Sequence, residues 1–217
     1  MLSVRSGRIS IVAGADALRV SGAQLEYDAD GNAEVRASSE SVAIECPPGT
    51  DVVIGAVSGR VETRGDLGAV NIATKSGRVT VESARSVDVR TTSGRVEIGH
   101  VDGAVRCSVV SGRVTIDRAG SVDVSVKSGR VVVRDTGDAR VHALSGRVEV
   151  AAAAGADVDV KTTSGRVAVT LPSGATPVTD ISVRRGRVDN SIPTSGTSTS
   201  GRVAVQTVAG RVSLSWR

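Results

Sequence analysis

The sequence predicts an all-β protein folded as a parallel β-solenoid, with about 17 to 18 residues and two main strands per turn. Its 217 residues include 40 Val against 9 Ile and 7 Leu, and Phe is absent. β-Branched side chains fit a pleated sheet better than a helix. In addition, the tetrapeptide SGRV or SGRI recurs, and between Ser58 and Ser164 its steps are 18, 17, 18, 17, 17 and 19 residues. Such a period without helical spacing indicates one solenoid turn per repeat.

Each repeat contains two stretches in which apolar and polar residues alternate, as in a strand with one buried face. The first strand follows the Ser-Gly pair and the second precedes the next pair. The predicted inward residues of the first strand are Val79 and Val81, Val96 and Ile98, Val114 and Ile116, Val131 and Val133, Val148 and Val150, and Val167 and Val169. Those of the second strand are Val70, Ile72 and Thr74; Val87, Val89 and Thr91; Val105, Cys107 and Val109; Val122, Val124 and Val126; Ala139, Val141 and Ala143; and Val158, Val160 and Thr162.

Between the strands we expect two kinds of bend. Polar segments such as residues 82–85 and 135–138 predict turns, and the glycine of each SGR predicts a corner that needs positive φ or a close approach of neighbouring backbones. Stacked turns lie about 4.8 Å apart. Identical corners would therefore lie directly above one another.

The whole chain, residues 1–217, is predicted to be one solenoid domain. Residues 1–55 are expected to form N-terminal cap strands with breaks at Asp30-Gly31 and at residues 47–49. Residues 56–170 hold the regular repeats. Residues 171–217 form C-terminal turns and a cap, with Pro172, Pro177, Pro193 and the polar run TSGTSTSG before a last strand at 212–216. Caps at both ends would cover strand edges that otherwise aggregate.

Composition narrows the class of protein. Apolar residues make up 40% and charged residues 23%, which is typical of a globular chain rather than a disordered or membrane one. The sequence contains no apolar run of 18 residues and its N-terminus is strand-like, so we expect no transmembrane segment or secretory signal within it and a cytoplasmic location. Cys46 and Cys107, far apart in sequence, do not indicate a disulfide framework or a metal site.

Catalytic residues are scarce. His100, in a predicted turn, and His142, at an outward strand position, have no sequence neighbours of the kind needed for a triad or a metal site. Both are expected at the surface. Cys107 lies in an inward column and is expected to be a small core residue rather than a nucleophile. The standard nucleotide, hydrolase and metalloprotease motifs are missing from the sequence. We therefore expect no enzyme activity, no cofactor and no metal.

Solenoid glycosidases and lyases use clustered carboxylates. We therefore consider whether aspartates cluster in one column, that is, at one outward strand position followed through successive turns. Asp88, Asp123 and Asp159 share it, but they lie two turns apart. Arg106 and Arg140 stand between them. Opposite charges across paired strands stabilise by about 0.2 to 1 kcal/mol each. This alternation is therefore predicted to fix the register of the turns, not to form an active site.

The SGR arginines form a different column, which has one sign of charge throughout. At about 4.8 Å, two unit charges in water repel by nearly 1 kcal/mol before screening. Glu62, Glu97 and Glu149, two residues further on, offer partial relief. The predicted stripe consists of Arg60, Arg78, Arg95, Arg113, Arg130, Arg147 and Arg166.

Two interpretations of this stripe remain open. Guanidinium planes can stack and bond to corner carbonyls, which would make the stripe structural. Alternatively, the stripe binds a linear polyanion, an anionic surface or an acidic protein segment. Since aromatic residues do not interleave it, any binding of nucleic acid would occur through phosphates.

Several of these motifs together resemble a known family. Repeated S-G-x-V turns, the Pro47-Pro48-Gly49 turn, and an ending of the type RVDNSIP…GRVAVQTVAGRVSLSW are similar to the bacterial "putative-adhesin" or toast-rack β-strand-repeat family, a domain of unknown function. The resemblance covers roughly residues 15–217. It implies a β-solenoid-like fold, without established enzyme activity or catalytic residues. Relatives usually read SGD or SGN where this chain has SGR.

We therefore expect a non-enzymatic bacterial scaffold or interaction module whose first partner is another protein. Two alternatives are a solenoid that polymerises head to tail like the bactofilins, and a binder of anionic polymers or surfaces through the arginine stripe. Self-association belongs to the first alternative. The irregular, proline-containing ends favour caps over polymerisation.

Overall fold

The fold is known from a computed structural model, which describes residues 2–27, 33–37, 41–192 and 201–217. The described residues form strands, bends and turns, and they contain no helix. The predicted break at Asp30-Gly31, as well as Pro193 and residues 194–200 of the polar run, lie outside these ranges. The strands are β1 (Leu2–Ala13), β2 (Arg19–Ser21), β3 (Gln24–Tyr27), β4 (Ala33–Ala37), β5 (Val42–Cys46), β6 (Val52–Val133), β7 (Thr136–Ala151), β8 (Val158–Leu171), β9 (Val178–Asn190) and β10 (Arg202–Trp216).

Successive turns of the solenoid, which we call laps to distinguish them from local chain turns, pair in parallel. The all-β fold is therefore solenoid-like. Ser128 of β6 pairs with Ser145 of β7, which pairs in turn with Ser164 of β8. Within β6, successive corner glycines face one another in the same way. Parallel pairing of chemically identical positions brings equivalent residues of the paired laps into files along the stack.

The strands are longer than the repeat predicts. Residues 82–85 and His100, expected in turns, lie within the continuous strand β6. The prediction of turns at these positions is wrong because the backbone stays paired with the neighbouring laps there. A bend at residues 134 and 135 does separate β6 from β7.

The order of laps at the two ends differs from the order in the sequence. The strands run β2-β5-β1-β6-β7-β8-β10-β9 across the sheet. The first long strand, β1, therefore lies between β5 and β6, and the last strand, β10, lies between β8 and β9. Thus the first and the last strand of the described chain each pair with a strand on both sides. At the N-terminal end, β2 and β3 pair antiparallel with β5 and β4.

The interior is filled by the predicted Val files. All the inward residues predicted for the first strand are buried, and so are those of the second strand apart from the half-buried Thr74. The buried residues form one continuous cluster that extends from Ile9 to Leu214 along the chain. Threonines at the inward position before a corner are satisfied locally, since Thr74 and Thr91 each donate a hydrogen bond of 3.2 Å to the carbonyl of the corner serine.

The corners require glycine for two reasons. Gly94, Gly112 and Gly129 have φ values of 147°, 155° and 148°, in a region that other residues avoid. In addition, a Cβ atom on Gly129 would overlap the carbonyl group of Gly112 in the lap before it, and the same holds at each corner along the file. Glycine therefore permits both the bend and the close approach of consecutive laps.

We predict that Gly129→Ala lowers the free energy of unfolding by roughly 3 kcal/mol or more. Backbone strain contributes about 1 to 3 kcal/mol and the collision with Gly112 a similar amount. Gly155→Ala is the control, since Gly155 also has a positive φ of 83° but has open space where the Cβ would lie. It should cost only about 1 to 2 kcal/mol. Urea unfolding followed by circular dichroism measures both, and equal losses would refute the collision.

Candidate anion-binding surface

The arginine after each corner glycine faces the same side of the stack in every lap. Arg8 pairs with Arg60, and Arg130 pairs with Arg147, which pairs with Arg166. The file then continues through the C-terminal laps to Arg211 and Arg187. We call this set the arginine file: Arg8, Arg60, Arg78, Arg95, Arg113, Arg130, Arg147, Arg166, Arg211 and Arg187.

All seven predicted arginines lie in the file, and three further members extend it. Arg8 belongs to an SGRI that the sequence shows plainly, but it falls in a segment expected to be a cap. Arg187 and Arg211 follow degenerate GRV motifs whose place in the stack depends on the insertion of β10 between β8 and β9. The recurring Gly-Arg pair was the signal that could have identified all three.

The file borders an open groove of about 950 Å³. Its lining consists entirely of glycine and arginine residues from six laps, and it contains no carboxylate. The lining residues are Gly94, Arg95, Gly112, Arg113, Gly129, Arg130, Gly146, Arg147, Gly165, Arg166 and Arg211. Because glycine has no side chain, the backbone forms the floor of the groove and the guanidinium groups form its wall.

The expected relief by glutamates is present in three laps. The nitrogen–oxygen distances are 3.7 Å for Arg60 to Glu62, 3.9 Å for Arg95 to Glu97 and 3.8 Å for Arg147 to Glu149. These distances are too long for hydrogen bonds. Among the described residues, no carboxylate oxygen lies within 4.0 Å of the guanidinium groups of Arg78, Arg113, Arg130, Arg166 and Arg211. The file therefore keeps an excess of positive charge.

Elsewhere on the stack, charges pair closely from lap to lap. Arg118 reaches Asp135 in the next lap at 3.1 Å, and Arg85 reaches Asp51, two laps away, at 3.2 Å. Arg134 makes a hydrogen-bonded ion pair with Asp117. The arginine file thus differs from these positions, where a cation and a carboxylate from different laps lie close together.

The predicted alternating column has the expected register, since Asp123 pairs with Arg140 and Arg140 with Asp159. Its ion pairs follow a different geometry. Asp159 contacts Lys161 at 3.3 Å, and Asp88 likewise contacts an arginine two residues further along its own strand. Side chains two residues apart point to the same face of a strand, which makes the nearer partner the one within the lap. The three aspartates of this column remain apart, so the structure does not assemble a carboxylate cluster from them.

The residues considered for catalysis have the exposure or burial that the sequence predicts. His100 and His142 are exposed, and His100 contacts Asp102 at 3.0 Å. Cys107 is buried, and burial together with the nearby charge of Asp88 raises its pKa to about 12. Burial also raises the pKa of the Cys46 thiol. Within the described part of the chain, His, Cys, Asp and Glu side chains form no group that could hold a metal ion.

The sequence matches the family described as Toastrack DUF4097 over residues 2–216. The chain belongs to this family. Membership confirms the resemblance seen in the repeated turns and in the C-terminal motif. The described residues of this Toastrack protein contain no helix long and apolar enough to cross a membrane.

Comparison with solved structures gives one weak similarity. The crystal structure of a Clostridium sporogenes protein described as a "putative cell adhesion protein" is 10% identical, with 100% of this chain and 92% of that chain covered. The TM-score is 0.23, which is too low to carry an argument about geometry or function. None of the curated proteins compared with the chain matches it.

We predict that Arg113→Ser leaves the free energy of unfolding unchanged or raises it by up to about 1 kcal/mol at low salt. The substitution removes the repulsion between Arg113 and the arginines of the two neighbouring laps. Salt screens this repulsion, so the gain in stability should shrink at high salt. Arg134→Ser, the control, removes a cation paired with Asp117 and should cost up to about 1 kcal/mol. Urea titrations at low and high salt measure both effects. A loss of stability in Arg113→Ser that does not depend on salt would show that the arginine file is structural.

Proposed function

We propose that this Toastrack protein is a non-enzymatic interaction module that binds a multiply charged anionic partner along the arginine file. The observation that carries the proposal is the groove of about 950 Å³ whose lining contains only Gly and Arg. A row of like charges costs folding energy unless something compensates it, and a bound anionic partner supplies that compensation. The spacing of about 4.8 Å between laps suits a partner with many regularly placed charges.

The chemistry of the file favours recognition of charge rather than of bases or sugars. Arginine presents a planar fork of donors that matches phosphate and carboxylate oxygens. The chain has one Trp, one Tyr and no Phe, so aromatic platforms for stacking are nearly missing. Binding should therefore depend strongly on salt and weakly on sequence.

A rigid, repetitive frame supports this role. We infer that each lap of about 17 to 18 residues contributes two strands to a common Val core, so the groove has little freedom to deform. The exposed histidines, the buried thiols and the dispersed aspartates argue for binding rather than catalysis. An aspartate column interrupted by Arg140 likewise disfavours a carbohydrate-cleaving enzyme.

The N-terminal edge argues against head-to-tail polymerisation. Growth of a continuous solenoid needs a parallel strand edge at both ends. At the N-terminal end, β2 and β3 lie antiparallel to β5 and β4. A further copy of β9 could not extend the parallel register from there, so we do not extend the proposal to filaments.

The test uses single-stranded DNA as a simple polyanion probe. We expect the triple variant Arg95→Ser, Arg113→Ser and Arg130→Ser to bind more weakly than the native chain. The slope of log K against log salt should become shallower by about 2, since each lost contact accounts for about 0.7. Fluorescence anisotropy over a range of salt concentrations measures this slope.

The matched control removes three cations from other columns, by Arg118→Ser, Arg134→Ser and Arg140→Ser. It has the same net charge as the triple variant, and it should keep most of the native affinity and slope. If the two triple variants weaken equally, net charge alone explains binding. Unchanged binding by the arginine-file variant would equally refute the proposed site.

A further inference from the structure

A second file of exposed side chains runs beside the arginine file, on the other side of the corner. Its members occupy the position just before the corner serine, or before the residue that replaces it. Leu144, for example, lies between Ala143 and Ser145, which both pair with equivalent residues of β8. We call this set the flanking file: Val57, Lys75, Thr92, Val110, Lys127, Leu144, Thr163, Val208 and Arg184.

The flanking file concentrates the exposed aliphatic side chains of the protein. Four of the nine large apolar side chains that are exposed in the described residues lie in it. Their exposed fractions are 47% for Val57, 42% for Val110, 56% for Leu144 and 47% for Val208. Isolated exposed apolar residues are normal, whereas four that share one file of the stack can contribute to a common interaction surface.

Basic residues and threonines separate these aliphatic residues along the stack. In lap order the file reads Val57, Lys75, Thr92, Val110, Lys127, Leu144, Thr163, Val208 and Arg184. Its C-terminal half borders a second groove of about 700 Å³, whose lining includes three cations and no carboxylate. The cations are Lys127, Lys161 and Arg184. Lys161 is partly neutralised by Asp159 at 3.3 Å.

The two files lie on either side of the same row of corners and together form one edge of the stack. Only the corner Ser-Gly pair separates the flanking position from the arginine of the same lap. From the lap of Val57 to that of Val208 there are seven steps of about 4.8 Å, or roughly 34 Å. This edge presents arginines on one side and a mixture of aliphatic, basic and threonine side chains on the other.

We propose that this edge docks onto the surface of an anionic lipid bilayer. The inference rests on the proposed function and names the partner of the same site. Surface-bound membrane proteins combine basic side chains that contact anionic headgroups with apolar side chains buried at the acyl boundary. The long stems of Arg and Lys pack on apolar surface while their charges stay in water.

Other anionic partners use only half of this edge. A nucleic-acid backbone offers phosphates to the arginines but nothing apolar to Leu144 or Val208. Protein interfaces are typically enriched in aromatic residues, Met and Arg, and depleted in Lys. The flanking file instead contains two Lys and no aromatic residue. An anionic bilayer matches both files, because its headgroups carry negative charge and the acyl chains just beneath them are apolar.

The experiment compares two matched variants on vesicles. The edge variant carries Val110→Ser, Leu144→Ser and Val208→Ser. The control variant carries Val12→Ser, Val53→Ser and Val178→Ser, which are exposed by 39%, 47% and 39% but lie outside the flanking file. Co-sedimentation is measured with vesicles of phosphatidylglycerol and phosphatidylcholine, and with phosphatidylcholine alone. Anisotropy with single-stranded DNA is measured in parallel, and thermal denaturation checks that both variants fold.

We expect the native chain and the control variant to bind the anionic vesicles and not those of phosphatidylcholine alone. The edge variant should lose affinity for anionic vesicles at least about tenfold, which is 1.4 kcal/mol. Its affinity for DNA should stay unchanged, because the arginine file is intact.

Two results overturn the inference while leaving the proposed function in place. One is equal vesicle binding by the edge and control variants, and the other is DNA binding by the native chain without vesicle binding. Failure to bind either probe would refute the proposed function as well. A Leu144→Trp variant in a Trp216→Phe background adds a direct readout. Its fluorescence should shift to the blue on anionic vesicles, and an unchanged spectrum would show that this position stays in water.

Discussion

The close stacking of glycine corners is the constraint on which the rest of the structure depends. At each corner the backbone of one lap approaches that of the next so closely that no Cβ atom fits between them. A shift of the register by one residue would bring a serine or an arginine into that space. It would also turn every inward Val toward solvent, because side chains alternate between the two faces of a strand. Two independent penalties therefore hold the laps in the same register.

The arginine file is a consequence of this register. Once the glycines stack, the residue after each glycine must stack too, and the chain has arginine there in ten laps. Neighbouring columns show that the fold can combine opposite charges, as it does for Arg118 and Asp135. The proposed role in binding anions follows from this contrast, since the uncompensated charge lies beside a groove without carboxylates.

The parts of the fold that depend on local pattern could be predicted from the sequence. The inward Val and Ile residues follow directly from the alternation within each repeat, and the seven central arginines follow from its period. The order of the end laps could not be predicted in this way. Nothing in the residues around Gly186 or Gly210 states that β10 inserts between β8 and β9, because that choice depends on contacts between distant segments. The partner of Asp88 was missed for a related reason, since side-chain rotamers decide between Arg90 and a neighbouring lap.

Distances between spin labels along the arginine file test the stacking most directly. Pulsed electron paramagnetic resonance requires a background in which Cys46 and Cys107 are replaced by Ala. With one label at Arg60→Cys, second labels at Arg113, Arg147 and Arg166 should give distances near 14, 24 and 29 Å, for steps of about 4.8 Å per lap. Labels at Arg211 and Arg187 should follow at about 34 and 38 Å, with the residue later in sequence closer to Arg60. Distances that do not grow by about 4.8 Å per lap, or a longer distance to Arg211 than to Arg187, would contradict this lap order.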